Sequence, residues 1–441
     1  MAQRAARIQA RAHSDGYSEK THLIHGRFQA TCWDYKHHVV PPMSSSVTYR
    51  LESSGRGGQG FRDFSQELAD DAEPIYIYDR LDEPTRSMLE QTLAYAEGAP
   101  CGVAFASGMS AISAALCTCA QAGQHILCHN VLYGCTFSLL RNWLPRFGIE
   151  STAVDFRQPE AWLAQVRPET RVVYFETPVN PDLHLIDIAQ VSDHVRQLNA
   201  QRPADQRIRV IVDNTFCTAH GQRPLEWGAD VVVASLTKSV GGFGTDLGGV
   251  VLAPLELHAE LLGFRKDFGG VLSPKNAWPI LVYGLPTLSI RLRQQQNTAL
   301  RLAQFLEGDP RVARVSYPGL DSFPQGELAR RQMRDYEGQF APGTLIYFEL
   351  HEADSRPGLR GRRFIDFIAE NSYAITMAVS LGQVKTLIEH PYSMTHAAIT
   401  SHAEDPHLIH PAGIRLSVGL EKGDDLIRDL RAALQASCSA E

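Results

Sequence analysis

Long apolar runs are missing from this 441-residue chain, and no stretch approaches the ~20 residues that a membrane-spanning helix requires. A basic excess is missing too. The formal net charge of -7 argues against a non-specific nucleic-acid binder, which needs surplus Lys and Arg to neutralise phosphates. The eight cysteines include no C-x-x-C pair. Most sit among apolar or small residues, as in A-A-L-C-T-C-A and H-I-L-C-H, so reduced thiols in a cytoplasmic protein are expected. The 17 histidines show no H-E-x-x-H or comparable spacing, and no metal site is expected. There is no internal repeat and no low-complexity tract. The opening stretch, M-A-Q-R-A-A-R-I-Q-A-R-A-H, carries three arginines but lacks the apolar core of a secretory signal; it has the look of a weak transit peptide, and a helical or frayed arm is the expectation. What is present is an ordinary globular composition, 44% hydrophobic and 21% charged, in a chain long enough for two domains.

Residues 1 to about 75 read as irregular, and the glycines of S-S-G-R-G-G-Q-G (residues 53–60) suggest a flexible loop. Helical periodicity starts at residues 85–96. Short apolar, β-branched runs then recur at residues 125–130, 171–176, 208–213, 230–235 and 248–252, with helix-like stretches such as 188–198 between most of them. This alternation implies an α/β fold with a mostly parallel sheet covered on both faces. Ligands bind such sheets at the carboxyl ends of the strands. After residue 274 the texture changes. A long helix at 283–306, a strand at 344–350 and helices at 362–370 and 424–436 make a smaller α+β unit.

The strand ends hold the chemistry. In D-V-V-V-A-S-L-T-K-S-V-G-G-F-G-T-D-L-G-G-V (residues 230–250), an apolar run delivers Ser235, Thr237 and Lys238 to a glycine-rich turn. An amine for an imine and hydroxyls for a phosphate are what pyridoxal phosphate chemistry needs, although a solvated loop lysine would look the same. Residues 208–212 deliver Asp213, an acid that is costly after a buried strand unless it has a partner. The protonated ring nitrogen of pyridoxal phosphate would be one; a helix cap is the other reading. In A-F-A-S-G-M-S-A-I-S-A-A-L (residues 104–116), Ser107, Gly108 and Met109 open a helix and offer N–H groups to an anion, as any capped helix does. Tyr133 in N-V-L-Y-G-C-T-F suits either stacking on a ring or a place in the core. Asn180 in F-E-T-P-V-N-P suits either a ring oxygen or its own turn. Arg415 in G-I-R-L-S-V-G-L-E is a guanidinium between Ile414 and Leu416, well shaped to grip an α-carboxylate.

Taken together, these segments resemble the Cys/Met-metabolism group of pyridoxal-phosphate enzymes, the cystathionine γ-synthase and γ-lyase group, most nearly the methionine γ-lyases. The resemblance runs from about Thr21 to the C-terminal helix. It is carried, in family order, by Y-D-R-L-D-E-P-T, S-G-M, L-Y-G-C-T-F, E-T-P-V-N-P, V-D-N-T-F, S-L-T-K and M-T-H…R-L-S-V-G-L-E. It implies the fold-type I transferase architecture: a large domain with a mostly parallel seven-stranded sheet and a smaller C-terminal α+β domain. The expected divisions are an arm at 1–80, the cofactor domain at 81–288 and the small domain at 289–441. It implies pyridoxal 5'-phosphate bound as an imine to Lys238, with Asp213 on the pyridinium. Tyr133 stacks on the ring and serves as acid or base at the leaving group, and Gly108, Met109, Ser235 and Thr237 cup the phosphate. Arg415, with Asn180 and Ser380, holds the carboxylate of a small amino-acid substrate. Tyr78 and Arg80 reach the phosphate of a neighbouring subunit, which implies a homotetramer built as a dimer of dimers.

The shared motifs do not separate γ-elimination from γ-replacement, so three other positions guide the expectation. Val379 stands where cystathionine-handling relatives often carry a glutamate for the distal amine. Cys135 and Lys266 match residues typical of methionine γ-lyases. The expected reaction is γ-elimination on methionine or an analogue. The alternatives are a γ-lyase for a non-sulfur substrate such as canavanine, an O-acylhomoserine sulfhydrylase, or a non-catalytic homologue, which would be expected to lack Lys238 or Asp213. The chain departs from the family pattern at Glu83, where asparagine is usual, at Phe243, where histidine is usual, and at Lys385-Thr386. Asp79, Asp82 and Glu83 read either as a solvated turn or as an acidic rim that welcomes a cationic γ-substituent.

Overall fold

The computed structural model describes residues 18–25, 38–64, 74–351, 358–394 and 410–438. The opening arm, Cys32 and Thr395-His396 of the M-T-H motif lie outside these residues. Seven strands form the larger sheet: β1 (Cys101–Phe105), β2 (His125–His129), β3 (Glu150–Val154), β4 (Thr170–Glu176), β5 (Arg209–Asp213), β6 (Val231–Ser235) and β7 (Gly249–Ala253). Their order is β1-β7-β6-β5-β4-β2-β3. Only β7 runs against its neighbours, pairing antiparallel with both β1 and β6. The other pairings are parallel.

The apolar runs of β4, β5 and β6 are continuous because both faces are covered. On one face Val172, Tyr174, Ile211, Val231 and Val233 pack against the helices Gly108–Cys119 and His258–Phe268. On the other, Val173, Phe175, Val210 and Val212 meet the helix Ile188–Asn199 through Ile188, Val191 and Val195. This is the mostly parallel, doubly covered sheet that the alternation implies.

The second sheet has five strands: β8 (Val312–Ser316), β9 (Leu345–Leu350), β10 (Ile375–Met377), β11 (Thr386–Glu389) and β12 (Gly413–Ser417), in the order β10-β11-β12-β9-β8. The helices Leu359–Asn371 and Gly423–Cys438 supply Phe364, Ile365, Leu426 and Leu430 to its core. The long helix Leu285–Glu307 belongs to both units. Leu285 sits in a core of the first sheet, whereas Ala299, Leu302 and Leu306 sit in the core of the second.

One expectation is overturned in the described part of the arm. The segment S-S-G-R-G-G-Q-G is not a flexible loop: a helix runs over Ser54–Asp63, capped by the Ser53 hydroxyl, which accepts from Arg56 N–H at 3.1 Å. Its glycines serve close packing. A Cβ on Gly60 would lie 2.8 Å from side-chain carbons of Ile75 and Ile77, so only glycine lets the helix approach them.

Candidate active site

Side chains alternate along a strand, so residues paired across parallel strands share a face. Glu176 pairs with Asp213 at the ends of β4 and β5. Ser235, two residues past Val233, ends β6 on that same face, the one covered by the helix Gly108–Cys119. The carboxyl edge of the sheet thus aligns two acids and a hydroxyl below a helix N-terminus. The chain then turns through Leu236–Val240. Leu236 N–H donates to Gly248 O at 2.9 Å and Gly242 N–H to Lys238 O at 2.8 Å, which closes the loop that carries Lys238.

Lys238 is partly buried, and its amine donates to Ser380 Oγ at 2.7 Å. Burial lowers its pKa to about 8, helped by the positive charge of Arg415. The shift leaves far more neutral amine near pH 7 than an ordinary lysine has, and the neutral amine is the nucleophile. Asp213 accepts from Thr215 N–H at 2.9 Å and from the Tyr174 hydroxyl at 3.4 Å. Burial raises its pKa, and its hydrogen-bond donors oppose the shift.

The helix Gly108–Cys119 starts at Ser107, whose hydroxyl is used as the cap on Ser110 N–H at 3.1 Å. The first-turn N–H groups of Gly108 and Met109 have no acceptor within the helix. A Cβ on Gly108 would come within 2.9 Å of Ser235 Cβ, and one on Gly249 within 2.3 Å of Ser107 O. The glycines therefore bring the helix N-terminus directly onto the ends of β6 and β7. Thr237 Oγ1 accepts from Gly248 N–H at 3.0 Å, placing a second hydroxyl nearby. N–H groups, a helix dipole and the Ser235 hydroxyl make a fitting seat for a phosphate.

Arg415 reaches across from the second sheet and is buried. Its Nη1 donates to Asn180 Oδ1 at 2.9 Å and its Nη2 to Ser380 O at 2.8 Å. Glu389, its cross-strand partner, lies 3.0 Å from Nη2. Nε of Arg415 is buried with no hydrogen-bond partner, which leaves donor capacity for a carboxylate. Ser380 adopts φ 95°, a left-handed backbone that non-glycine residues rarely take. In this conformation its hydroxyl meets Lys238 while its carbonyl meets Arg415.

Tyr133 opens a short helix beside β2, and the residue is 39% exposed. Its N–H donates to Glu176 Oε1 at 2.7 Å, and Cys135 Sγ lies 3.5 Å from its hydroxyl. Burial, then the neighbouring Cys135, push the Tyr133 phenol up to about 12, so it carries its proton at neutral pH. Next to Cys135 an open cavity of about 390 Å³ is lined by Met109, Cys135, Ser138, Leu139 and Trp143.

Other candidates lie elsewhere. Val379, beside Ser380, is 55% exposed. The Lys266 amine pairs with Asp267 at 3.0 Å, and its carbonyl accepts from Arg80 at 2.9 Å. Arg80 also lies 5.5 Å from the centre of the Tyr78 ring, and both residues are exposed on this chain. Phe243 stands over the Arg291 guanidinium, which bonds Ser239 O and Gly284 O. The acidic rim is corrected: Glu83 is wholly buried and caps the helix Pro84–Glu97 by accepting from Thr85 N–H at 2.8 Å and from Arg86 N–H. Asp79 pairs with buried Arg86 at 2.9 Å, and Asp82 accepts from Ser87 at 2.8 Å. These acids hold a turn together and form neither a solvated turn nor a rim. Sequence reasoning missed Glu176 and Glu389. The only signal for either was an acid closing an apolar run, Y-F-E and L-I-E.

The residues fit pyridoxal phosphate, and comparison with known proteins agrees. The profile of the family described as "Cys/Met metabolism PLP-dependent enzyme" matches residues 20–435. An L-methionine gamma-lyase of Porphyromonas gingivalis is 39% identical over 90% of this chain and 93% of its own length. An O-succinylhomoserine sulfhydrylase of Pseudomonas aeruginosa is 37% identical over 82% of this chain and 84% of its own. The crystal structure of cystathionine gamma-lyase from Lactobacillus plantarum complexed with L-serine superposes with a TM-score of 0.81 at 33% identity, covering 95% of this chain and 99% of that one. The chain therefore belongs to the Cys/Met metabolism PLP-dependent enzymes, with pyridoxal 5'-phosphate as its cofactor and carbon–sulfur lyase chemistry as its work.

Proposed function

We propose that the enzyme is a methionine-γ-lyase-like γ-eliminase, converting L-methionine or a close analogue and one water to a 2-oxo acid, ammonia and a thiol. The observation that carries this reading is the cavity beside Cys135. Met109, Leu139 and Trp143 line it, and none of its lining residues is charged. A thioether suits such a wall, whereas the distal ammonium and carboxylate of cystathionine would find no oppositely charged side chain on it. Val379 points the same way, since it offers no carboxylate to a distal amine.

The cofactor, once bound, supplies an electron sink for negative charge at the substrate α-carbon. The chain does the rest. Arg415, held by Asn180 and Ser380, grips the α-carboxylate and fixes the orientation of the α-hydrogen. Lys238, its amine more easily deprotonated than an ordinary lysine's, carries protons at the α- and β-carbons. Tyr133, still protonated, stands beside Cys135 as the acid for the departing thiolate. With the cofactor bound, Asp213 would balance the charge of the ring nitrogen, and the seat at Gly108, Met109, Ser235 and Thr237 would hold the phosphate. Exposed Tyr78 and Arg80 belong to the same reading as groups offered to a neighbouring subunit of a homotetramer. Seven free cysteines among the described residues suit a reducing, cytoplasmic setting.

The test is a product panel with methionine, homocysteine, cystathionine, canavanine, and O-acetylhomoserine plus sulfide. Methionine should exceed cystathionine by at least ~10-fold in kcat/KM, with Val379→Glu narrowing the gap. A preference for cystathionine, or faster thiol capture than elimination, would overturn the reading.

A further inference from the structure

The two acids that end β4 and β5 are paired in register and share the face covered by the helix Gly108–Cys119, Glu176 buried and Asp213 partly buried. Two ionised carboxylates so placed would repel each other at low dielectric, and one ring nitrogen can balance only one of them. Their hydrogen bonds decide which one keeps the charge. Asp213 accepts from two groups, Thr215 N–H and the Tyr174 hydroxyl, whereas Glu176 accepts from one, the Tyr133 N–H. Glu176 is also the side chain that, among the described residues, ties the main chain of Tyr133 to this edge of the sheet.

We infer that Glu176 is a positioning residue, held as a neutral acid beside ionised Asp213, and that it fixes the Tyr133 ring over the cofactor site through the Tyr133 main chain. Burial and the Asp213 charge push the Glu176 carboxyl up to about 8, which agrees with the geometry. The inference rests on the reading that Asp213 faces the cofactor nitrogen. It adds that the pair must carry one negative charge, so that the pair and a protonated ring nitrogen sum to neutrality in a buried site. A second ionised carboxylate would leave that site one unit negative.

The test compares holoenzymes carrying Glu176→Gln, Glu176→Ala and Asp213→Asn with wild type. Readouts are the visible absorption spectrum from pH 6 to 9, the cofactor dissociation constant on reconstitution, and kcat and KM. Glutamine is the isostere of the neutral acid and keeps an oxygen for the Tyr133 N–H. E176Q should therefore hold the wild-type spectrum, with cofactor affinity within ~2-fold. E176A should shift the spectrum and lower kcat by at least ~10-fold, with KM nearly unchanged because Arg415 is untouched. E176Q behaving like E176A would show that the charge is needed, and E176A behaving like wild type would show that nothing is positioned. Either result overturns the inference. Should E176A fail to fold, the infrared difference between wild type and E176Q still decides. A protonated-carboxyl stretch lost in E176Q supports the inference, and loss of carboxylate bands sinks it. D213N reports on the underlying reading separately: it should weaken cofactor binding at least ~10-fold, and unchanged affinity there would strike the Asp213 role itself.

Discussion

Two charge-rich regions of this chain look alike in the sequence and differ in the structure. The turn Asp79–Arg86 carries three acids, and each accepts a hydrogen bond from the turn or the helix it starts. The cluster of Lys238, Asp213, Tyr133 and Arg415 is just as polar, yet it keeps capacity in reserve. Lys238 makes one side-chain hydrogen bond, to Ser380. Arg415 Nε has no partner, and Tyr133 is exposed. Density of charge therefore does not mark a site. Nε of Arg86 in the turn lacks a partner as well, so an unspent donor marks a site only beside an open edge of a rigid sheet, where a ligand can reach it.

The comparison can be broken most sharply at Lys238. Lys238→Ala should remove the cofactor absorption band and lower turnover by on the order of 10³-fold or more, while the thermal midpoint moves little. A retained band would place the amine elsewhere. Arg415→Lys comes next. It keeps the charge but loses the planar fork, so KM should rise by ~10- to 100-fold with a smaller loss in kcat. An unchanged KM would mean that the carboxylate is held by other groups.

A pH measurement sharpens the same contrast. With its pKa lowered to about 8, the Lys238 amine is protonated well below that pH and free above it. Cofactor capture by the apo-protein should climb from pH 6 and level off past about 8, whereas an ordinary lysine would go on gaining reactivity to above ~10. Arg415 contributes to the lowering, so Arg415→Met should move the midpoint upward. The smallest effect belongs to the turn. Asparagine also caps helices well, so Glu83→Asn should change stability by no more than ~1 kcal/mol. The ratio of kcat/KM for canavanine and methionine should stay as in wild type, and a changed ratio would restore the acidic rim.

The sequence was most legible where burial is complete on both faces. Strands β4, β5 and β6 read as unbroken apolar runs, and Arg415 stood out because a cation inside such a run demands a partner. It was least legible at edges. Strand β3, E-S-T-A-V, borders only β2 and is largely open to solvent, so it carries no apolar run. The glycines of residues 53–60 read as freedom, whereas the structure uses them for contact. Glu176 and Glu389 take on meaning only through residues far along the chain, Asp213 and Arg415, and no local pattern reports such a pairing.

The reversed direction of β7 has a design consequence. Because β7 returns antiparallel beside β6, the loop that carries Lys238 leaves and re-enters the sheet at adjacent strands, and Leu236 and Gly248 clasp its base. Residues 241–247 then form an insert pinned at Gly242, whose N–H donates to Lys238 O and whose carbonyl accepts from Val384 N–H. With Gly242 and Gly244 kept, new side chains can stand in place of Phe243 and Thr245 while the amine two residues past Leu236 stays at its post.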